Sequence, residues 1–354
     1  MIDAAPLHPG GRASRRSIAV LIACAPLVLA IPGVAQAPSR AELPVPIVVE
    51  AQPLAAFDIR DRSSHQFGLL EFRGGLVLRS SYRNFGGISA IRVAADGARF
   101  IALSDKGWWL RGRIVYEGAR PSAIADAEMA PILGADGRPL ADRGWYDTES
   151  IADDGGTLYV GIERVHQILR FNYGKDGLLA RGEPIAVPPG MRSLPGNKGL
   201  EALVFVPKGA GDKVLAGTLI AISERGLDNA GNIIGFLVGG RSPGTFTVKR
   251  SAAFDVSDAA LLPGGDLLLL ERKFSWTSGL SVRLRRITLA GIKPGALVDG
   301  AILFEADLGY EIDNMEGLCV HRSTSGETVL TLISDDNFSI IQRTLLLQFT
   351  LVEP

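Results

Sequence analysis

Four acidic residues, Glu149, Glu201, Asp258 and Glu316, recur at the starts of similar apolar segments, 52, 57 and 58 residues apart, and Ser89 holds the same place 60 residues before the first. Carboxylates gathered in a partly desolvated site repel one another and need protons or a cation to coexist. Several oxygen donors with no clustered Cys or His suit Ca²⁺ or Mg²⁺ better than Zn²⁺, so a divalent metal, Ca²⁺ first, is the expected cofactor. The same carboxylates could instead accept backbone N–H bonds and tie neighbouring segments together. Asp335, in the run Asp335-Asp336-Asn337, joins the metal candidates, although an Asx-rich run is also a common turn.

A second charged position follows Ser89, Glu149, Glu201 and Asp258 in turn, at Asp105-Lys106, Glu163-Arg164, Glu224-Arg225 and Glu271-Arg272. Lys106, Arg164, Arg225 and Arg272 are the expected grip on an anionic substrate, because guanidinium forks match phosphate oxygens bidentately. As solvated ion pairs they would contribute little. His166, two residues after Arg164, is the candidate general base, with Asp105 and Glu163 as its acidic companions, though a turn histidine is equally at home idle in solvent. Trp108-Trp109 could wall the site or pack outer strands.

Positioning these residues requires a repeated element. Each anchor opens an apolar stretch, a Gly-containing turn and a second apolar stretch ending in the charged pair; a further apolar segment follows, such as Gln167–Phe171 or Thr344–Phe349. Five copies at this spacing read as blades, and four-stranded blades around a channel make a β-propeller. The first strand of each blade lines the channel, which would bring the anchors together at one mouth. The remaining N-terminal piece, Gly68–Phe72 and Leu76–Ser80 across Gly74-Gly75, reads as a hairpin. Joined to strands from the other end of the chain, it predicts a sixth blade that closes the ring and removes free edges. A β-sandwich would give no reason for the repeated charges. Pro-rich and Gly-rich connections at 121–146 and 188–198 predict loops over one face.

The N-terminus reads as an export signal. Arg12, Arg15 and Arg16 precede an apolar run from Ile18 to Ile31, and small residues around Ala35 and Ala37 close it. The run holds Pro26 and is shorter than the roughly 20 residues a bilayer-spanning helix needs. Ser14–Ile18 is also compatible with a twin-arginine signal, and Cys24 with lipidation. Residues 1–37 are therefore expected to be removed, leaving 38–354 as one periplasmic or secreted domain without a stable membrane anchor. The loss of Arg12, Arg15, Arg16 and Asp3 from 37 basic and 38 acidic residues leaves 34 and 37, a net charge of −3.

That mild acidity argues against a nucleic-acid partner. With Cys24 removed, Cys319 is the sole cysteine of the mature chain, which excludes a disulfide framework. There is no Gly-x-Ser-x-Gly elbow, His-Glu-x-x-His, phosphate-binding P-loop or dinucleotide fingerprint. The reading is a monomeric, exported, divalent-metal-dependent hydrolase acting on a small anionic or ester substrate. The competing reading is a non-catalytic propeller that binds a small ligand or a protein partner on the same face.

Taken in order, Phe85-Gly86-Gly87-Ile88-Ser89, Leu103-Ser104-Asp105-Lys106-Gly107, Asp147–Ile151, Gly199–Leu203 and Asn314–Leu318 resemble the bacterial "esterase-like activity of phytase" family of exported, phytase-like propellers. The similarity runs from about His65 to Phe349. It implies a propeller and hydrolysis of an ester or phosphoester. The Asp-rich calcium motifs of propeller phytases are not found at full length in this chain.

Overall fold

The computed structural model describes residues 44–196, 198–209 and 213–352. The export-signal reading falls on residues 1–37 and lies outside them. Among the described residues no helix is long and apolar enough to cross a membrane.

The strands form five sheets, each built around consecutive antiparallel strands. Their innermost strands are Ile88–Val93 in blade 1, Thr148–Asp154 in blade 2, Leu200–Val206 in blade 3, Asp255–Leu261 in blade 4 and Met315–Arg322 in blade 5. These pack successively against one another, the last against the first, which closes a ring around a central channel. One apolar cluster fills each junction between blades. Strands covered on both faces need apolar residues at every position rather than alternation. Leu267-Leu268-Leu269-Leu270 is such a run, with all four side chains fully buried.

The expected sixth blade is absent from the described residues, and five sheets make the propeller. Among the described residues blade 5 has three consecutive strands of its own, Met315–Arg322, Thr328–Ser334 and Thr344–Leu351. The N-terminal segment supplies its fourth, Leu70–Arg79, which pairs along Thr344–Leu351. The two ends of the chain thus close the ring as anticipated, but inside the fifth blade. The Gly74-Gly75 pair does not turn a hairpin; it lies within this one strand, beside a register shift opposite Gln348 and Phe349. Gly74 has φ 153°, and a Cβ there would sit 2.9 Å from Arg120 Cγ, so glycine is required by close approach to blade 1.

The first long connection is also more regular than expected, since Arg120–Pro131 is the fourth strand of blade 1, with Val45–Pro46 paired along its outer edge. The second holds the short helix Pro189–Arg192 and brings Lys198 to the mouth. Trp109 is fully buried, edge-on to Phe171 at 5.2 Å, and Trp108 meets Tyr82, so the tryptophan pair packs strands. Cys319 is a buried free thiol.

Across the channel lies a polar clasp. Arg92 of blade 1 pairs with Asp258 of blade 4 at 3.1 Å and donates to the carbonyls of Leu203 in blade 3 and Leu318 in blade 5. Asp258 also accepts from Leu318 N at 2.8 Å and Ala259 N at 2.7 Å.

Candidate metal centre at the channel mouth

Every inner strand carries a register shift at the same place, between Ile88 and Ala90, Thr148 and Ser150, Leu200 and Ala202, Val256 and Asp258, and Met315 and Gly317. A bulge leaves one residue unpaired and re-aims its side chain. The five unpaired residues are Ser89, Glu149, Glu201, Ser257 and Glu316. The residue paired just before each bulge is Ser104, Ile162, Ser223, Glu271 or Ser334. The next residue along these second strands gives a further set at the same level: Asp105, Glu163, Glu224, Arg272 and Asp335.

Blade 4 therefore departs from the sequence alignment by one residue on both strands. Ser257, not Asp258, occupies the bulge, and Arg272, not Glu271, occupies the charged position. Side chains alternate along a strand, so one step changes the face entirely. Asp258 leaves the expected carboxylate ring for the Arg92 clasp. Glu271, fully buried, receives Arg283 at 2.7 Å and Arg285 at 2.6 Å.

The two sets contain seven carboxylates and one cation. Glu163, Glu201 and Glu224, all buried, each present a ligand oxygen within 4.8 Å of the other two. Glu163 accepts the backbone N–H of Gly199 at 2.7 Å, and Glu224 meets Lys198 at 2.7 Å. Glu149 and Glu201 have no hydrogen-bond or ion-pair partner among the described residues. Arg272 reaches Glu316 at 2.8 Å and Glu224 at 3.6 Å, and donates to Asn314 Oδ1. Asn314 in turn donates to Glu316 at 2.8 Å. Two buried polar atoms of blade 4, Arg272 Nε and Ser257 Oγ, lack partners.

Such crowding shifts proton affinities. Burial, then the charges of Glu201, Glu316, Asp105 and Glu163, hold the Glu149 carboxyl well above the ordinary range. Burial, then Glu224 and Glu163, do the same to Glu201, against the opposing pull of Arg272. Glu316 is raised by burial despite Arg272 and Asn314. Burial, then Asp335, raise Asp105 to about 7, while burial and Glu316 raise Asp335 to about 8. For Arg272, burial opposes the charged form, but Glu316, Glu201 and Glu224 outweigh it and hold the guanidinium protonated.

A carboxyl that binds its proton more tightly when folded stabilises the fold at low pH. For Asp105 and Asp335 that contribution is complete below the unfolded value near 4 and is lost as pH climbs through about 7 and about 8. Chelator-treated protein should therefore melt progressively lower from about pH 5 to about pH 8. A melting temperature that rises through this window would contradict the burial of these groups.

The donor set suits a hard cation: three buried carboxylate oxygens converge, no sulfur or imidazole lies among them, and further carboxylates border the group. Of the other candidates, His166 is buried beside Glu163, with Nδ1 unpartnered. A Cβ on Gly199 would stand 2.8 Å from both His166 Nδ1 and Glu163 Cγ, so that glycine is what lets both side chains approach the loop. Asp105 lies between Gly87 and Ser104. Asp335 accepts from Asn337 N at 2.6 Å, which makes the Asx turn and the buried carboxylate one feature.

The remaining cations spread outward. Lys106 is exposed over the Phe338 ring. Arg164 is half-exposed, 3.8 Å from Asp147 and stacked on Tyr146. Arg225 is held by Asp255, which also binds Arg250, so it braces blades 3 and 4. Lys198, which the sequence places on a loop that could shape the mouth, is at the mouth on Glu224, whereas Glu224 was not singled out by the sequence as a ligand. Glu224 stands in the repeat where Asp105, Glu163 and Asp335 stand, and that equivalence was its signal.

The family model described as "Phytase-like: Esterase-like activity of phytase" matches residues 83–338, which include every inner strand and both mouth sets. Among curated proteins no match was found. Solved structures with a similar course of chain include a glutaminyl cyclase from Myxococcus xanthus, at 11% identity and TM-score 0.40, covering 87% of this chain and 98% of that one. Others are a PQQ-bound aldose sugar dehydrogenase from Streptomyces coelicolor, at 14% identity and TM-score 0.40, covering 78% and 98%, and a putative 6-phosphogluconolactonase from Bacteroides uniformis, at 14% identity and TM-score 0.35, covering 77% and 78%. At such low scores none of them bears on activity.

Proposed function

We propose that this chain, which belongs to the esterase-like activity of phytase family, is an exported, divalent-cation-dependent hydrolase of esters or phosphoesters. The observation that carries this reading is the mouth itself: seven carboxylates around one guanidinium, with Glu163, Glu201 and Glu224 convergent. Like charges in a desolvated site raise its energy, and a bound cation relieves that cost more fully than protons do near neutral pH.

Glu163, Glu201 and Glu224 would hold the ion, with Glu149, Glu316 and Asp335 as bordering carboxylates. A divalent cation in such a site polarises a carbonyl or phosphoryl oxygen and lowers the pKa of bound water. The chain's own groups do the rest. Arg272, kept charged and fixed by Glu316 and Asn314, orients an anionic oxygen of the substrate. His166 Nδ1, unpartnered beside Glu163, accepts a proton from the attacking water, and Asp105, raised to about 7, exchanges protons near neutrality. Lys106 and Arg164 at the rim attract the anion before it enters. Export rests on the charged, apolar and small-residue order of residues 1–37.

Metal analysis of the purified mature protein, followed by hydrolysis of aryl phosphates and short aryl esters with and without chelator, tests the reading. Turnover that chelator abolishes and Ca²⁺ restores is expected. Metal-free, inert protein would leave a binding module instead.

A further inference from the structure

Exposed apolar side chains follow two of the mouth residues along the chain. In blade 4 the second strand continues past Arg272 to Ser275 and returns as Gly279–Ile287, pairing Arg272 with Val282 and Phe274 with Leu280. Residues two apart on a strand share a face, so Phe274 stands on the same face of this hairpin as Arg272, farther from the channel. Phe274 is 64% exposed and Trp276, at the tip, 95% exposed, with their rings edge to face at 5.3 Å.

In the adjoining blade 5 the chain leaves the mouth at Asp335 and presents Ile340 and Ile341, both almost wholly exposed, before returning at Thr344. This loop is anchored. Asp336 accepts from Gly87 N and Phe338 N, and Arg343 pairs with Glu311 at 2.7 Å. Blades 4 and 5 meet through Arg272 and Glu316. Two exposed apolar pairs, Phe274 with Trp276 and Ile340 with Ile341, thus stand on the strand-to-strand connections that follow Arg272 and Asp335 in neighbouring blades. Singly exposed apolar residues are ordinary, but two such pairs following mouth residues mark a surface with a use.

We propose that these pairs form a docking ledge for the apolar part of the substrate, an amphiphilic ester or phosphoester. Its polar head enters the mouth, and its acyl or alkyl chain leaves over Phe274, Trp276, Ile340 and Ile341. The inference rests on the mouth being the hydrolytic site. Charge complementarity selects the occupant. Arg272 and a cation held by the carboxylates answer an anionic or ester head, and only a molecule with an apolar chain also covers the ledge. A wholly polar phosphoester leaves the ledge in water, and a wholly apolar ligand leaves the mouth's charges unanswered. The reaction needs no further co-reactant: water adds across the ester bond and leaves an acid and an alcohol.

The test compares wild type with Phe274→Ser/Trp276→Ser and Ile340→Ser/Ile341→Ser, all surface changes. On aryl esters of two to eight acyl carbons, wild-type kcat/KM should rise by about tenfold or more with chain length, since each buried methylene adds to binding. The variants should lose most of that rise and keep the rate on the two-carbon ester. In parallel, Trp276 fluorescence should respond to octyl phosphate at concentrations where methyl phosphate has no effect, whether or not anything is hydrolysed. Octyl phosphate binding without hydrolysis supports the ledge and sinks the hydrolytic reading. Hydrolysis with equal chain-length dependence in wild type and variants overturns the ledge alone. Wild-type dimers that the variants dissolve, by sedimentation, would assign the patch to a second copy and likewise overturn it.

Discussion

Glu201→Gln should lower Ca²⁺ affinity by about tenfold or more, because affinity at all-oxygen sites follows the number of charged ligands, and hydrolysis should fall with it. The amide nearly preserves volume, so the propeller should remain intact. Glu201 is buried, has no hydrogen-bond partner among the described residues, and shares its space with Glu163 and Glu224. Removing a buried carboxyl whose ionisation is opposed by burial, Glu224 and Glu163, should raise the melting temperature of the metal-free protein at neutral pH while weakening the metal-loaded one. Had Glu201 instead tied neighbouring blades through backbone N–H groups, the amide would destabilise both forms. Calorimetric titration with Ca²⁺, together with melting curves in chelator, separates the two, and unchanged Ca²⁺ binding in Glu201→Gln would remove it from the ligand set.

Asp258→Ala should destabilise the fold by about 3–5 kcal/mol, as expected when one partner of a buried ion pair is removed. Asp258 is fully buried, and Arg92 would be left charged in the channel with only carbonyls to meet it. Because the pair links blades 1 and 4 and reaches blades 3 and 5, its loss should lower the cooperativity of unfolding as well as its midpoint. The double variant Arg92→Met/Asp258→Leu should recover much of the loss, since an apolar pair of similar bulk avoids the uncompensated charge. Urea denaturation of both variants checks this. A single variant as stable as wild type would show that the clasp contributes nothing to ring closure.

The propeller was legible in the sequence because each blade repeats one apolar and charged pattern, and the anchors in blades 2, 3 and 5 kept their identity as Glu149, Glu201 and Glu316. Blade 4 misled because it places Ser257 next to Asp258 and Glu271 next to Arg272. Sequence similarity aligned the acids, whereas the bulge and the pairing register set the true equivalence one residue away. The consequence was functional: Arg272, grouped with rim cations such as Arg225, lies inside the carboxylate site, and Asp258, grouped with the metal ligands, belongs to the clasp. Closure was half legible. Pairing of the chain ends followed from the need to remove free edges, but that blade 5 lacked a fourth strand of its own became evident only from the pairing of Leu70–Arg79 with Thr344–Leu351. The approach of Arg92 to Asp258, 166 residues away, left no local trace.

The central claim is that the mouth holds a divalent cation, and equilibrium titration of chelator-treated protein with Ca²⁺ near pH 8 tests it most directly. A saturable site is expected, with protons released on binding because Asp335 and Glu149 are held above their ordinary pKa, and with binding abolished when Glu163, Glu201 and Glu224 are all changed to Gln. Absence of binding, or binding that survives the triple change, would contradict the account.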